Sequence, residues 1–271
     1  MCQLLGMNCR LPATIDFSLE GFQARGGLTD EHKDGWGIAF FEEHGCRIFL
    51  DHQPAAHSPL LTAIRAQQIK SRNVIAHIRK ATYGEVTLRN CHPFKRELWG
   101  QSWIFSHNGD LHNFHPVLTG RFTPEGETDS ERAFCFIMER MAAAFPKATR
   151  DNPPALDDLY ALWQPLADEI AAFGVFNVML SNGDILFTHC STNLAYVERS
   201  YPFTQVTLID SDVSLDLNAH NSREDRMVVI ATKPLTRNEH WIIFEAGESL
   251  VFKDGQPLLG SHLHAKKLLA A

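Results

Sequence analysis

Short apolar runs bracket a pair of longer amphipathic segments, and strand and helix do not alternate regularly along the chain. The early runs, at 37–41, 46–50, 74–78 and 103–106, read as strands. Ser58-Pro59 predicts a helix reaching about 70, with Ser as N-cap and Pro in the first helical position. Thr128 and Glu131 have capping-box spacing, and Phe134, Ile137, Met138, Met141 and Phe145 form one apolar stripe, so a longer helix is expected from 128. That stripe has the composition of a core face. Residues 146–154 read as a loop. A second helical region over 155–173 is expected to be interrupted at Pro165 and to end at Gly174. Strands return at 175–180 and 185–189 around Ser181-Asn182-Gly183-Asp184, a hairpin signal, and again at 203–209, 228–232, 241–245 and 250–253. Residues after 260 are expected to be peripheral. Strands, two helices, then strands joined by hairpin turns predict an α+β chain with mostly antiparallel sheets and packed helices. The 146–154 loop is short and bracketed by helices, so 1–271 reads as a single domain.

The 271 residues are 44% hydrophobic, enough for one large core or two small ones. The net charge is −7 and the basic residues are scattered, which argues against a nucleic-acid face. No apolar run reaches the ~18 residues of a membrane span, so no membrane partner is expected. The start, Met-Cys-Gln-Leu-Leu-Gly-Met-Asn-Cys-Arg, lacks a basic region followed by an apolar stretch. Cys2, Cys9, Cys46, Cys91, Cys135 and Cys190 are far apart and form no C-x-x-C. Together these features suggest a reducing cytoplasm. His112/His115 and His262/His264 are short spacings without a matching third ligand, so no metal or other cofactor is expected.

Four places have residue types suited to chemistry. Cys2 follows Met1, and an aminopeptidase removes a starting Met when the next side chain is small. Removal would put a thiol and a free α-amine on one residue, a nucleophile with its own base; Cys is equally a common small buried residue. The run 74–78 delivers Arg79 to a strand end, where its planar fork suits a carboxylate or simply faces solvent. Asn108-Gly109 is either a hairpin turn or a pair of N–H donors aimed at one oxyanion. Asn182-Gly183, between two cleaner strands, is the internal comparison and reads as a plain turn. Asp129, in the first turn of the capped helix, can complement the helix dipole, accept a substrate ammonium, or do both.

In order, these segments are an early Cys, Arg79-Lys80-Ala81-Thr82-Tyr83-Gly84, His107-Asn108-Gly109, and Glu127-Thr128-Asp129-Ser130-Glu131. The set resembles the glutaminase domain of class II glutamine amidotransferases, which are N-terminal-nucleophile hydrolases. Gly26-Gly27, 32–37, His92-Pro93-Phe94 and 190–194 are similar to the stand-alone, YafJ-like type within that family. The resemblance covers most of the chain and implies a four-layer αββα sandwich. It implies that Cys2 is the nucleophile, that its own amine is the base, and that Asn108 and Gly109 are the oxyanion pair. Arg79, with Thr82 beside it, corresponds to the residue that binds the glutamine α-carboxylate, and Asp129 to the one that binds the α-ammonium. Arg25 and Asp34-Gly35 correspond to Arg-Gly and Asp-Gly elements near the family's site, although the spacing between them differs from the multidomain synthases. Tyr83 stands where many synthases have His. The implied reaction is hydrolysis of the glutamine side-chain amide through a Cys2 thioester, without a metal. Ammonia would pass to a separate acceptor enzyme or be released. Two alternatives stand beside it: cleavage of a larger γ-glutamyl amide, as in ergothioneine-pathway relatives, and a non-catalytic ligand-binding module.

Overall fold

A computed structural model describes residues 2–43, 45–82 and 84–260. The chain runs through β1 (Gln3–Ala13), α1 (Asp16–Ala24), β2 (Trp36–Glu42), β3 (Gly45–Asp51), α2 (Pro59–Ala66), β4 (Ser71–Ile78), β5 (Phe94–Leu98) and β6 (Gln101–Asn108). Helices α3 (Asp129–Ala144) and α4 (Leu156–Ala171) follow. The rest is β7 (Asn177–Ser181), β8 (Ile185–Cys190), β9 (Ala195–Ser200), β10 (Gln205–Thr207), β11 (Ser214–Asp216), β12 (Arg226–Ala231), β13 (Ile242–Ile243), β14 (Glu248–Lys253) and β15 (Gln256–Gly260). Among the described residues no helix is long and apolar enough to cross a membrane.

Two antiparallel sheets carry the fold. One has the order β13-β9-β12-β1-β4-β2-β3 and the other β15-β14-β8-β7-β6-β5, while β10 and β11 form a separate ribbon. Strand alternation sorts the side chains into layers. Along β1, Leu5, Met7 and Cys9 join Leu19 and Phe22 of α1 and Leu61 and Ile64 of α2. Leu4 points the other way and meets Ile104, Met179, Leu186 and Phe252 between the sheets. On β6, Trp103 and Phe105 face α3 and α4, where Phe105 stacks on Phe134 with ring centroids 5.0 Å apart. Helices therefore cover the outer face of each sheet, and the two inner faces share a core: the αββα sandwich expected from the sequence. Fully burying each large apolar side chain contributes roughly 1.5–3 kcal/mol, so these three clusters hold the layers in place.

The helices begin where the caps predicted. Ser58 Oγ accepts the Leu61 N–H, and Thr128 Oγ1 accepts the Glu131 N–H. The reciprocal half of the capping box is rerouted: the Glu131 carboxylate takes the Gly126 N–H at 2.7 Å and pairs with Arg96. The helix opened by Ser58 is shorter than expected and stops at Ala66. The expected interruption at Pro165 does not occur, because α4 runs through it. Pro165 and Ala161, whose carbonyl loses its partner, both lie on the exposed face, so water replaces the missing bond. The Asn182-Gly183 hairpin is present, with Gly183 at φ +95° and Asn182 Oδ1 accepting the Ile185 N–H. Expected strands 203–209 and 241–245 shorten to β10 and β13. The sequence reading did not anticipate β1, α1, β5, β9, β11 or β15. Its expectation for residues after 260 lies outside the described residues.

Four buried histidines are held neutral. Burial pushes His77 down to about 3 and His189 down to about 4, and it lowers His92 and His107. The unfolded chain protonates such rings near ~6.5, so below that pH it binds more protons than the folded chain. Stability is therefore complete above pH ~6.5 and declines as pH falls toward the folded values, by about 1.4 kcal/mol per unit for each ring. Urea unfolding at pH ~7 and ~5 is expected to show a lower midpoint at the acidic value. A second expectation concerns α4. Pro165→Ala returns a helix N–H at an exposed site and should raise the urea midpoint, for a stability gain of ~1–3 kcal/mol on intrinsic scales. A lowered midpoint would mean that the ring's stiffening of the unfolded chain outweighs the missing bond.

Candidate active site

Alternation and register bring chemistry-bearing residues to one end of the space between the sheets. Gln3 pairs with Ile78 and Leu4 with His77, so Cys2 lies beside the 79–80 segment that extends β4. Leu4 and Ile75 face the inner core, and Cys2 and Arg79 share their parity on β1 and β4. On β6 the inner face carries Ile104 and, by the same alternation, Ser106 and Asn108. On β12 it carries Val228 and Ile230, and Thr232 follows in step.

Cys2 is half-buried. The Lys80 N–H donates to its sulfur at 3.2 Å, and the thiol points back to the Lys80 carbonyl at 3.4 Å. Burial pushes the thiol's pKa up, while the Lys80 amide and the Arg79 charge oppose that rise. The sulfur therefore rests as a thiol against the peptide that follows Arg79.

Arg79 is buried at the strand end. Its guanidinium donates to the carbonyls of Glu85 (2.9 Å) and Gly84 (3.3 Å). Its backbone is clipped to the 34–35 turn: Arg79 N–H to the Gly35 carbonyl (2.8 Å), Asp34 N–H to the Arg79 carbonyl (3.2 Å), and Ala81 N–H to Asp34 Oδ2 (2.8 Å). Gly35 has φ +112°, and a Cβ there would lie 2.7 Å from Cys91 Sγ and 2.9 Å from the Asp51 carbonyl. The Asp-Gly pair thus has a physical reason: Asp holds the Ala81 amide, and only Gly fits the turn. Thr82 is exposed in the bend that follows.

Asn108 is fully buried at the end of β6, and Gly109 does not form a hairpin turn. A Cβ on Gly109 would fall 1.7 Å from the Val175 carbonyl oxygen and 2.6 Å from His107 Nε2. Here glycine permits a close backbone approach, in contrast with the positive φ required of Gly183. The Asn108 carbonyl accepts from Asn177 Nδ2 at 3.0 Å. Asn177 Oδ1 in turn takes the N–H groups of Ser191, Thr192 and Asn193, so one buried amide joins β6 to the 191–193 loop. The Asn108 amide lies 3.4 Å from Thr232 Oγ1.

Asp129 caps its own region from N1 of α3. Oδ2 accepts the Leu111 N–H at 2.7 Å and Oδ1 the Ser130 N–H at 2.8 Å, which fixes the loop after Gly109. Beneath it, His107 Nε2 meets the Val175 carbonyl at 2.9 Å, so that nitrogen carries the proton and Nδ1 faces Ser130 Oγ at 2.8 Å.

Arg25 is engaged elsewhere. Its guanidinium holds Asp210 Oδ2 (2.9 Å) and the carbonyls of Lys233 (3.0 Å) and Pro234 (2.6 Å). It anchors the segment that leaves β12 just after Thr232. Sequence reasoning missed Asn177 and Thr232. The available signal was a polar residue in an otherwise apolar strand run, which calls for a buried partner.

The chain matches the family model described as class II glutamine amidotransferases over residues 1–269. It is 49% identical to a protein of Haemophilus influenzae provisionally named a glutamine amidotransferase, over 95% of this chain and 86% of that one. It is 45% identical to the Escherichia coli protein YafJ, provisionally given the same name, over 94% of this chain and 99% of that one. A crystal structure of a predicted glutamine amidotransferase from Pseudomonas aeruginosa superposes with a TM-score of 0.75 at 40% identity, covering 95% of this chain and all of that one. The glutamine phosphoribosylpyrophosphate amidotransferase of B. subtilis shares the fold, with a TM-score of 0.58 at 14% identity, over 96% of this chain and 49% of that one. The fold, the order of the motifs and these likenesses lead to one conclusion: the chain belongs to the class II glutamine amidotransferases.

Proposed function

We propose that this enzyme hydrolyses the side-chain amide of glutamine through a thioester on Cys2. The observation that carries the reading is that register and strand alternation bring Cys2, Arg79 and Asn108 to one end of the inter-sheet space, while Asp129 holds the loop that leaves Gly109. The thiol immediately precedes β1, the arginine immediately follows β4, the Asn-Gly pair closes β6, and the carboxylate starts α3.

Once Met1 is removed, the α-amine of Cys2 takes the thiol proton and the sulfur attacks the carboxamide carbon. Charge develops on the carbonyl oxygen, where the Asn108 side chain and the Gly109 N–H donate. The amine returns the proton to the leaving nitrogen, the C–N bond breaks, and ammonia departs. Water then attacks the thioester carbonyl, and breaking the S–C bond releases glutamate and restores the thiol. Arg79 receives the α-carboxylate with Thr82 beside it, and Asp129 receives the α-ammonium. Their contacts fix the reacting carbon over Cys2. The raised pKa of the buried thiol gives the amine its task, because little thiolate forms without a base. Ammonia leaves for solution or for a separate acceptor enzyme.

A second reading has support in a cleft of about 430 Å³ whose polar lining is Arg25, Thr29, Asp30, Asp210 and Lys233. Asp30 holds the side chain of Gln3, next to Cys2, at 3.4 Å. The amine portion of a larger γ-glutamyl amide would have room there.

The test is intact-mass analysis with an electrophilic glutamine analogue, run beside assays on free glutamine and on γ-glutamyl amides. The wild type is expected to lack Met1 and gain one adduct on Cys2. Cys2→Ala should fold, take no adduct and lose at least ~10³-fold in turnover. Retained Met1 in active protein would overturn the proposal. Faster cleavage of γ-glutamyl amides than of glutamine would select the second reading. Arg79→Ala should raise KM for glutamine by ~10–100-fold with a smaller change in kcat, the size of a lost charge-assisted contact.

A further inference from the structure

Thr232 occupies a position that the proposed mechanism does not use, yet it ties the nucleophile strand to the oxyanion side chain. It is buried at 6% exposure on the inner face beyond β12. Its Oγ1 accepts the Leu4 N–H at 2.8 Å, and its own N–H donates to the Leu4 carbonyl at 3.1 Å. Leu4 is two residues from Cys2, so the hydroxyl is fixed in space by β1.

The same oxygen faces the Asn108 amide at 3.4 Å. With Nδ2 on that side, the hydroxyl oxygen receives two N–H groups, and Asn108 Oδ1 is buried without a partner. A buried carbonyl oxygen left unpaired costs about 1–3 kcal/mol. A planar amide has the same shape when turned over, and the turned form pairs that oxygen with the Thr232 hydroxyl and leaves the N–H₂ as the group that awaits a partner. Thr232 Oγ1 then accepts from Leu4 and donates its own hydrogen to Asn108 Oδ1. The two hydrogens of Nδ2 lie on the side of the amide away from Thr232. An amide whose oxygen accepts a hydrogen bond is also a better N–H donor.

We propose that Thr232 is a positioning residue: its hydroxyl donates to Asn108 Oδ1, which leaves the Asn108 N–H₂ for the oxyanion. The inference rests on the oxyanion role proposed for Asn108. The backbone of Asn108 is already held by Asn177, so Thr232 sets which end of the side chain is presented rather than where the strand ends.

The experiment compares Thr232→Val, Thr232→Ser, Asn108→Ala and the Thr232→Val/Asn108→Ala double variant. Glutamine turnover is read beside binding of the γ-aldehyde analogue of glutamine, whose carbonyl reversibly adds the Cys2 thiol and places an oxygen at the oxyanion position. Thr232→Val should lower kcat by ~10–100-fold, somewhat less than loss of an oxyanion donor. KM should change less than about twofold, and aldehyde affinity should fall in step with kcat/KM. Thr232→Ser, which keeps the hydroxyl, should restore kcat. In the Asn108→Ala background the valine should add little further loss, because the two side chains act as one unit. A Thr232→Val enzyme with normal kcat overturns the inference, as does a loss that serine does not restore or that adds in full to Asn108→Ala. Melting temperature separates the general cost of the unpaired Leu4 amide, which would appear without the kcat–KM split. If the valine variant does not fold, Thr232→Ala is read against the same double variant. A wild type that neither turns over glutamine nor is captured at Cys2 sinks the proposed function, and this inference falls with it. A wild type that does both, with an inert Thr232, sinks the inference alone.

Discussion

The end of the molecule that carries the candidate site depends on β1 being buried on both of its faces. Leu5 and Met7 hold it against the helices, while Leu4 packs between the sheets. Gly6 keeps the strand close to the opposite sheet, since a Cβ there would lie 2.7 Å from Met179 Sδ. Strand pairing has a period of two, so a slip of one residue would exchange the two faces. Cys2 would then point toward the helix layer instead of the space it shares with Asn108. Packing several residues away thus fixes the direction of the sulfur.

A second layer of control is polar and lies in the connections. Asp34 and Gly35 grip both sides of the Arg79 backbone, and Asn90 joins the Glu85 carbonyl to the Glu127 amide. Asn177 joins β6 to the 191–193 loop, and Asp129 joins α3 to the loop after Gly109. Each is a buried or half-buried side chain bonded to backbone groups that no strand satisfies. Such groups are costly when orphaned, so the loops around the site have few alternative arrangements. A rigid scaffold with loops held this way suits a reaction in which a small amide must meet a nucleophile and two donors at once.

Much of the architecture was legible because its signals were local. Ser58-Pro59, the 128–131 cap and the Asn182-Gly183 turn carry their own chemistry, and all appear. The strand β1 was not legible, because Gln3 to Cys9 are buried on both faces and show no alternation of apolar and polar residues. Helix α1 has Gly21 inside and no side-chain N-cap, and it is held by packing under the first sheet. Pro165 misled because a proline within a helix weakens it without having to end it: Trp163, Leu166 and Ala167 pack against the second sheet and hold the turn, and the freed carbonyl faces water. At the site, Asn108-Gly109 and Asn182-Gly183 are the same dipeptide with opposite structural reasons. One glycine is needed for its φ and the other for missing atoms beside Val175. No reading of neighbours in sequence distinguishes them, because the carbonyl that excludes a Cβ is more than sixty residues away along the chain. Asn177 and Thr232 escaped for the same reason, as their partners are distant in sequence.

The electrostatics of the Cys2 thiol follow from its burial. A thiol placed under a sheet end loses solvation for its thiolate, and one amide bond from Lys80 does not restore it. The buried histidines are poor proton acceptors, since burial pushes His77 down to about 3 and lowers His92 and His107. His77 and His92 stack with ring centroids 4.2 Å apart between the sheets, and His107 is bonded to Ser130 and the Val175 carbonyl. Arg79 adds positive charge nearby, which favours a thiolate but cannot accept a proton. In the proposed mechanism the base must therefore come from the nucleophile's own residue. A terminal amine needs no further packing to reach a sulfur on the same residue.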